Sequence, residues 1–358
     1  MATRHGGHPS HRAPPARLPV TRRALIAVAL VAVIAATAAD ATTPGHNGSI
    51  AFTRYRLQNS PLWSEIFVVR PDGTGLTKVS HSAKAVEDDQ ARWSPDGRWL
   101  TFARCTRNGP CSVWVVRSDG TGQRRISPAC TRACADESNA SFTPDGRHLV
   151  LQHEFGRIGH DAIGDQIEKS WLARVDLRHR NMTVLRRLEG FRGDLEAPLL
   201  SPDGRSLLFT RSNSARVVPA GGQALFVAPV GGGATRQLTP WRLRAAGADW
   251  APDGRRILFR STLPSGELTP GNSIYTVRPD GSGLHQLTHL GANHYVLTGS
   301  YSPDGHSVVF ATDDGATPNP GGGTFADIET MPAAGGKATL VTHAANLDGW
   351  PTWEAATP

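Results

Sequence analysis

A six-residue string recurs five times along the 358-residue chain: Trp93-Ser94-Pro95-Asp96-Gly97-Arg98, Phe142-Thr143-Pro144-Asp145-Gly146-Arg147, Leu200-Ser201-Pro202-Asp203-Gly204-Arg205, Trp250-Ala251-Pro252-Asp253-Gly254-Arg255 and Tyr301-Ser302-Pro303-Asp304-Gly305-His306. Its aspartates stand 49, 58, 50 and 51 residues apart, which chance does not produce. A period near fifty marks a repeat architecture. An apolar strand follows each copy, at 100–102, 149–151, 207–209, 257–259 and 308–310. Then come a loop of varied length, a further apolar strand (113–116, 225–227, 274–277), a second turn such as Ser118-Asp119-Gly120-Thr121-Gly122 or Pro279-Asp280-Gly281-Ser282-Gly283, and a last strand such as 124–126 or 285–287. Asp-Gly between apolar runs is a hairpin signal, because glycine accepts the positive φ of a tight turn. Each repeat is therefore expected to form a four-stranded antiparallel meander, the unit of a propeller blade.

The ends of the chain fit the same unit when taken together. Residues 48–54 match its second strand and 67–73 its third strand and turn, with no first strand before them. Residues 350–353, Trp-Pro-Thr-Trp, read as a first strand with no unit after it. The sequence thus predicts an all-β fold, a six-bladed β-propeller over residues 45–355 whose ring is closed by the C-terminal strand completing the N-terminal blade. The abundance of turn residues, 38 Gly and 26 Pro, follows from that many hairpins.

A formal charge of +7 raises nucleic acid or an acidic membrane surface as partners. Five arginines (Arg4, Arg12, Arg17, Arg22 and Arg23) lie within the first 39 residues, which hold no acid, and the remainder carries 33 bases against 31 acids. Phosphate binding needs clustered bases, so a nucleic-acid partner is excluded. Residues 24–39 are uncharged and mostly apolar, short of the roughly 20 that span a bilayer but suited to a signal-peptide core. We read residues 1–41 as a basic n-region and signal peptide. An uncleaved anchor with its basic end in the cytoplasm is the alternative, and the one membrane contact expected. Ala36-Thr37-Ala38 and Ala39-Asp40-Ala41 both fit the small-x-small cleavage rule, and Thr21-Arg22-Arg23-Ala24-Leu25-Ile26 is compatible with twin-arginine as well as Sec export. The expected location is extracytoplasmic: periplasmic, envelope-associated or secreted. Cys105, Cys111, Cys130 and Cys134 then favour disulfides, with Cys105–Cys111 and Cys130–Cys134 preferred; crossed pairings and four reduced thiols stay open.

An aromatic residue, Ser-Pro-Asp-Gly and a strand ending in Phe resemble the WD40-like repeat of the TolB C-terminal propeller, and the resemblance covers the whole chain after the export segment. It implies a non-enzymatic, cofactor-free scaffold of the cell envelope that binds an envelope or secreted protein; we expect a monomer. The chain departs from TolB in lacking room for an α/β domain before the propeller. Similar repeats occur in propellers of prolyl-oligopeptidase-type peptidases and in oligogalacturonate lyases, so a carbohydrate-active enzyme, a polysaccharide lyase or hydrolase acting on the loop face, is the alternative.

The Pro-Asp-Gly aspartates, with Asp72, Asp119 and Asp280, are explained by turn geometry and need no catalytic role. Length variation falls on the opposite connections, 55–64, 104–112, 154–169, 212–223, 261–273 and 312–326, which is where binding concentrates on a rigid scaffold. Ahead of the aromatic that starts each repeat stand Asp88 and Asp89 (beside Glu87), Glu137 (beside Asp136), Glu196 (near Asp194) and Asp348, while Asp249 directly precedes Trp250. These six carboxylates are candidates for a partial ring that receives a cationic partner segment. Asp89, Glu137 and Glu196 are also candidates for a hard cation such as Ca²⁺. Local pairing with Arg54, Arg104 and Arg211 is the competing reading. His153 and His160, among the acids of 154–168, are candidate metal or acid–base groups without a fixed ligand spacing, set against a solvated polar loop. No GxSxG, phosphate-loop or dinucleotide pattern is present.

Overall fold

The computed structural model describes residues 42–56, 63–83, 85–106, 109–127, 134–157, 166–189, 194–213, 222–261, 273–289, 295–318, 324–343 and 346–356. The export segment, its cleavage and His160 lie outside the described residues.

The chain begins with β1 (His46–Tyr55), β2 (Ser64–Val69) and β3 (Thr77–Lys78). Five four-strand meanders follow. They are β4 (Val86–Trp93), β5 (Trp99–Thr106), β6 (Ser112–Arg117) and β7 (Arg124–Arg125), then β8 (Cys134–Phe142), β9 (His148–Arg157), β10 (Gln166–Asp176) and β11 (Met182–Glu189). Next are β12 (Leu195–Leu200), β13 (Ser206–Ser212), β14 (Gln223–Pro229) and β15 (Arg236–Gln237), and β16 (Ala245–Trp250), β17 (Ile257–Ser261), β18 (Ser273–Val277) and β19 (His285–Gln286). The last meander is β20 (Tyr295–Tyr301), β21 (Ser307–Pro318), β22 (Thr324–Pro332) and β23 (Thr339–Leu340), followed by β24 (Leu347–Ala356). Neighbours within each meander pair antiparallel. The final strand, β24, pairs antiparallel with β1, from Tyr55 opposite Leu347 to His46 opposite Ala356. The expected partner for the incomplete N-terminal unit is therefore present.

The repeated string folds as the turn between first and second strands. Asp96 Oδ1 accepts the Ser94 hydroxyl at 2.6 Å and the Arg98 N–H at 3.1 Å, and Ser94 Oγ accepts the Trp99 N–H at 2.9 Å. Asp145, Asp203 and Asp304 do the same in their repeats. Ala251 has no hydroxyl to give, and Asp253 keeps the bond from Arg255. The five glycines sit at φ between 65° and 73°, a region where a Cβ is strained.

Side chains alternate across the second strands into two apolar layers, as a period of two requires. Leu149 and Leu151 pack with Val113, Val115 and Ile126 of the preceding meander, while Val150 packs with Leu207 and Phe209 of the next. Full burial of each such side chain is worth about 1.5–3 kcal/mol. First strands also touch in succession: β4 with β8, β8 with β12, β12 with β16, β16 with β20, β20 with β24 and β24 with β4.

Two loops are shorter than the sequence suggests, because β9 runs to Arg157 with β10 starting at Gln166, and β21 runs to Pro318 with β22 starting at Thr324. A disulfide joins Cys105 and Cys111 across the β5–β6 connection, with Cα atoms 4.0 Å apart. The pairing of Cys130 with Cys134 lies outside the described residues.

Candidate functional site: carboxylates along the first strands

Each first strand is interrupted at the same place. Left-handed residues recur at Gln90 (φ 58°), Asn139 (50°), Ala197 (50°), Gly247 (60°) and Trp350 (55°). At each, the ladder with the second strand slips, after Asp89, Ser138, Glu196 and Ala246, and in β24 between Gly349 and Thr352. These are β-bulges, which bend a strand and re-aim the residues before them. Four of the five left-handed residues are not glycine, so nothing in the composition announces the bulge.

Two residues before the bulge, one cross-strand pair recurs with changing chemistry: Asp348 opposite Arg54, Asp88 opposite Arg104, Glu137 opposite His153, then Leu195 opposite Arg211, Ala245 opposite Ser261 and Val296 opposite Thr312. Arg54 grips Asp348 with Nε–Oδ1 and Nη2–Oδ2 bonds of 2.7 Å each. Arg104 grips Asp88 likewise at 2.6 and 2.7 Å. Both guanidiniums lie over paired aromatic rings, Arg54 over Phe52 and Phe67 and Arg104 over Phe102 and Trp114. His153 Nδ1 is 3.0 Å from Glu137 Oε1, and Arg125 of the preceding meander approaches Glu137 Oε2 at 3.9 Å. Arg211 stands opposite Leu195, and its guanidinium lies over Trp241.

A second set of carboxylates lacks such a clamp. Asp89 Oδ1 accepts the Thr53 hydroxyl at 2.9 Å and the Gln90 N–H at 2.7 Å, and Tyr55 donates its hydroxyl to Oδ2. Trp350 Nε1 in turn donates to the Tyr55 oxygen at 2.9 Å. Burial pushes Asp89 up to about 6, and burial together with Asp89 pushes Glu87 up to about 7. Burial and the charge of Asp194 raise Glu196 to about 7 against the opposing pull of Arg260. Glu154 is also raised, by burial and by Asp194, Asp136 and Glu196, while its Oε1 accepts Gln152 Nε2 at 2.6 Å. These groups cluster at the strand ends away from the Pro-Asp-Gly turns.

Asp249 does not join them. It lies after its bulge, at the turn end, where Oδ2 accepts the Thr42 hydroxyl and the Tyr301 N–H at 2.7 Å each. Among the described residues no three His, Cys, Asp or Glu side chains come together in a way that would hold a metal ion. Glu137 and His153 form one hydrogen-bonded pair, while Asp89 and Glu196 belong to other groups; carboxylates raised toward neutral pH can exchange protons there.

Stacked four-stranded antiparallel sheets whose first strands pack on one another define a TolB-like β-propeller fold. TolB from Acinetobacter baumannii superposes with a TM-score of 0.65 at 17% identity, over 95% of this chain and 74% of its own. A TolB-like protein from Agrobacterium tumefaciens gives 0.56 at 19% identity, over 86% and 92%. Oligogalacturonate lyase from Vibrio parahaemolyticus gives 0.52 at 13%, over 78% and 71%. No family model matches the chain. An uncharacterised protein of Agrobacterium fabrum is 27% identical over 150 residues, 41% of this chain and 47% of its own, so the match spans about half the length of that curated relative.

Proposed function

We propose that the chain is an exported, WD40-like-repeat propeller of six blades closed into a ring by β24, and that it works as a non-enzymatic scaffold in the cell envelope. The cyclic series of first-strand contacts and the β24–β1 pairing support the ring. One observation carries the binding role: Glu87, Asp89 and Glu196 at the loop end of their first strands and Glu154 near the same end of β9 are partly or fully buried and raised in pKa, while Asp88 and Asp348 are already paired with arginine. The unclamped set suits a lysine- or arginine-bearing segment of an envelope or secreted partner. A cation entering there displaces protons and gains a low-dielectric counter-charge.

Affinity capture from the cell envelope tests this, with the native chain beside a Glu87→Gln/Asp89→Asn/Glu196→Gln variant. A partner held by the native chain and lost from the variant is expected; equal capture by both overturns the reading. A second reading, a carbohydrate-active enzyme, rests on the buried His153–Glu137 pair, an acid–base arrangement at 3.0 Å. Product release from a polysaccharide panel, abolished by His153→Gln, would replace the scaffold with that enzyme.

A further inference from the structure

A buried carboxylate at the opposite end of the strands has half its hydrogen-bonding capacity unmet. Asp249 is fully buried. Its Oδ2 takes two donors, Thr42 Oγ1 and Tyr301 N, but its Oδ1 has no hydrogen-bond partner. Arg92 contributes favourable charge, yet burial outweighs it and leaves the group raised to about 7. A buried unsatisfied oxygen of this kind costs about 1–3 kcal/mol and calls for a partner.

Thr42 supplies a candidate. It is itself buried, its hydroxyl contacts Asp249 Oδ2, and the same oxygen lies 3.0 Å from the Tyr301 carbonyl and 3.4 Å from Ser300 Oγ. Its backbone nitrogen points at the Trp250 carbonyl from 3.4 Å, longer than a well-made N–H···O bond. The residues immediately before it, Ala39-Asp40-Ala41, form one of the two small-x-small cleavage strings.

We infer that the chain is cut between Ala41 and Thr42, and that the α-ammonium group so released pairs with Asp249 as the matured protein folds. Water adds across the amide bond under a signal-type peptidase; Ala41 leaves as a carboxylate, and the Thr42 nitrogen takes up a proton. One amide N–H becomes three charged donors, enough to shorten the contact to Trp250 and to serve Asp249. Cleavage also removes Asp40, an acid two positions from the threonine that reaches the buried carboxylate. Because Thr42 is enclosed in the folded protein, the cut precedes folding. The alternative string, Ala36-Thr37-Ala38, would leave Ala39 first and place no charge on Thr42.

This inference rests on the export reading, and two measurements keep their failures apart. N-terminal sequencing and intact mass of the exported protein are expected to give Thr42 as the first residue; Ala39 or an uncut chain outside the cytoplasm overturns the cleavage, whereas full-length protein retained inside overturns the export reading. Independently, a chain beginning at Thr42 is compared with the same chain keeping Ala41, each with and without Asp249→Asn. Loss of about 2–4 °C in Tm on keeping Ala41 is expected in the native background only, the shift that about 1 kcal/mol produces in a large domain. An equal effect in both backgrounds overturns the ion pair. Acylation of the α-amine at neutral pH gives a second readout, slow in the native background and faster in Asp249→Asn; equal rates overturn the pair as well.

Discussion

The turn aspartates and the first-strand carboxylates are the same functional group in two opposite situations. Asp72, Asp119, Asp203 and Asp280 lie at the solvent edge, where backbone N–H groups and neighbouring hydroxyls hold their pKa below the ordinary range. Glu196 and Asp249 lie inside and Glu87 and Asp89 are partly buried, and desolvation drives theirs to between about 6 and about 7. A carboxylate is therefore a structural fastener at one end of a strand and a proton-retaining group within it. The deciding variable is whether its hydrogen bonds come with access to water.

The largest expected consequence is in the pH dependence of stability. Buried acids whose folded pKa lies above the unfolded value bind more protons folded than unfolded between about pH 4 and 7, so stability falls as pH rises through that window. At about 1.4 kcal/mol per unit, Glu87, Asp89 and Glu196 make the protein more stable at pH 5 than at pH 8 by several kcal/mol, read as a higher urea midpoint. The triple variant Glu87→Gln/Asp89→Asn/Glu196→Gln flattens that profile. Below the ordinary carboxylate range the turn aspartates reverse the sign, as their bonds are lost on protonation.

Removing a clamp comes next. Arg104→Ala leaves Asp88 buried and unpaired, and a loss of about 3–5 kcal/mol in chemical denaturation is expected. Arg211→Ala, at the same position in another repeat but facing Leu195, costs far less; equal losses would break the distinction between clamped and unclamped repeats. Smallest is the turn: Asp203→Ala forfeits the bonds from Ser201 and Arg205, about 0.5–1.5 kcal/mol. The reverse change Ala251→Ser should recover part of that in the fourth string.

Much of this frame was legible in the residues. Pro-Asp-Gly carries its own geometry, so the turns, the strands after them and the complementarity of residues 48–54 with 350–353 followed from the repeated strings and their spacing. The bulges did not, because Gln90, Asn139, Ala197 and Trp350 adopt left-handed backbone without a glycine to mark it. That one-residue slip decides the charge map: it sets Asp88 against Arg104, sets Arg211 against Leu195, and sends Asp249 to the far end of its strand. The length of β11 was equally hidden. Its eight residues contrast with two in β3, β7, β15, β19 and β23, and a pattern of Arg and Leu over 185–188 does not state how far an edge strand extends.

The pairing of β24 with β1 has a consequence in time. Ser49 N–H donates to Glu354 across a sequence separation of 305 residues, so the first sheet to begin is the last to be completed. Until β24 (Leu347–Ala356) emerges, β1 keeps one edge without its native partner, and such an edge invites foreign strands. Closing a contact of that separation is slow compared with local hairpins. The exposed edge of β1 is thus where a foreign strand would pair first, and the arrival of β24 is what closes that opportunity.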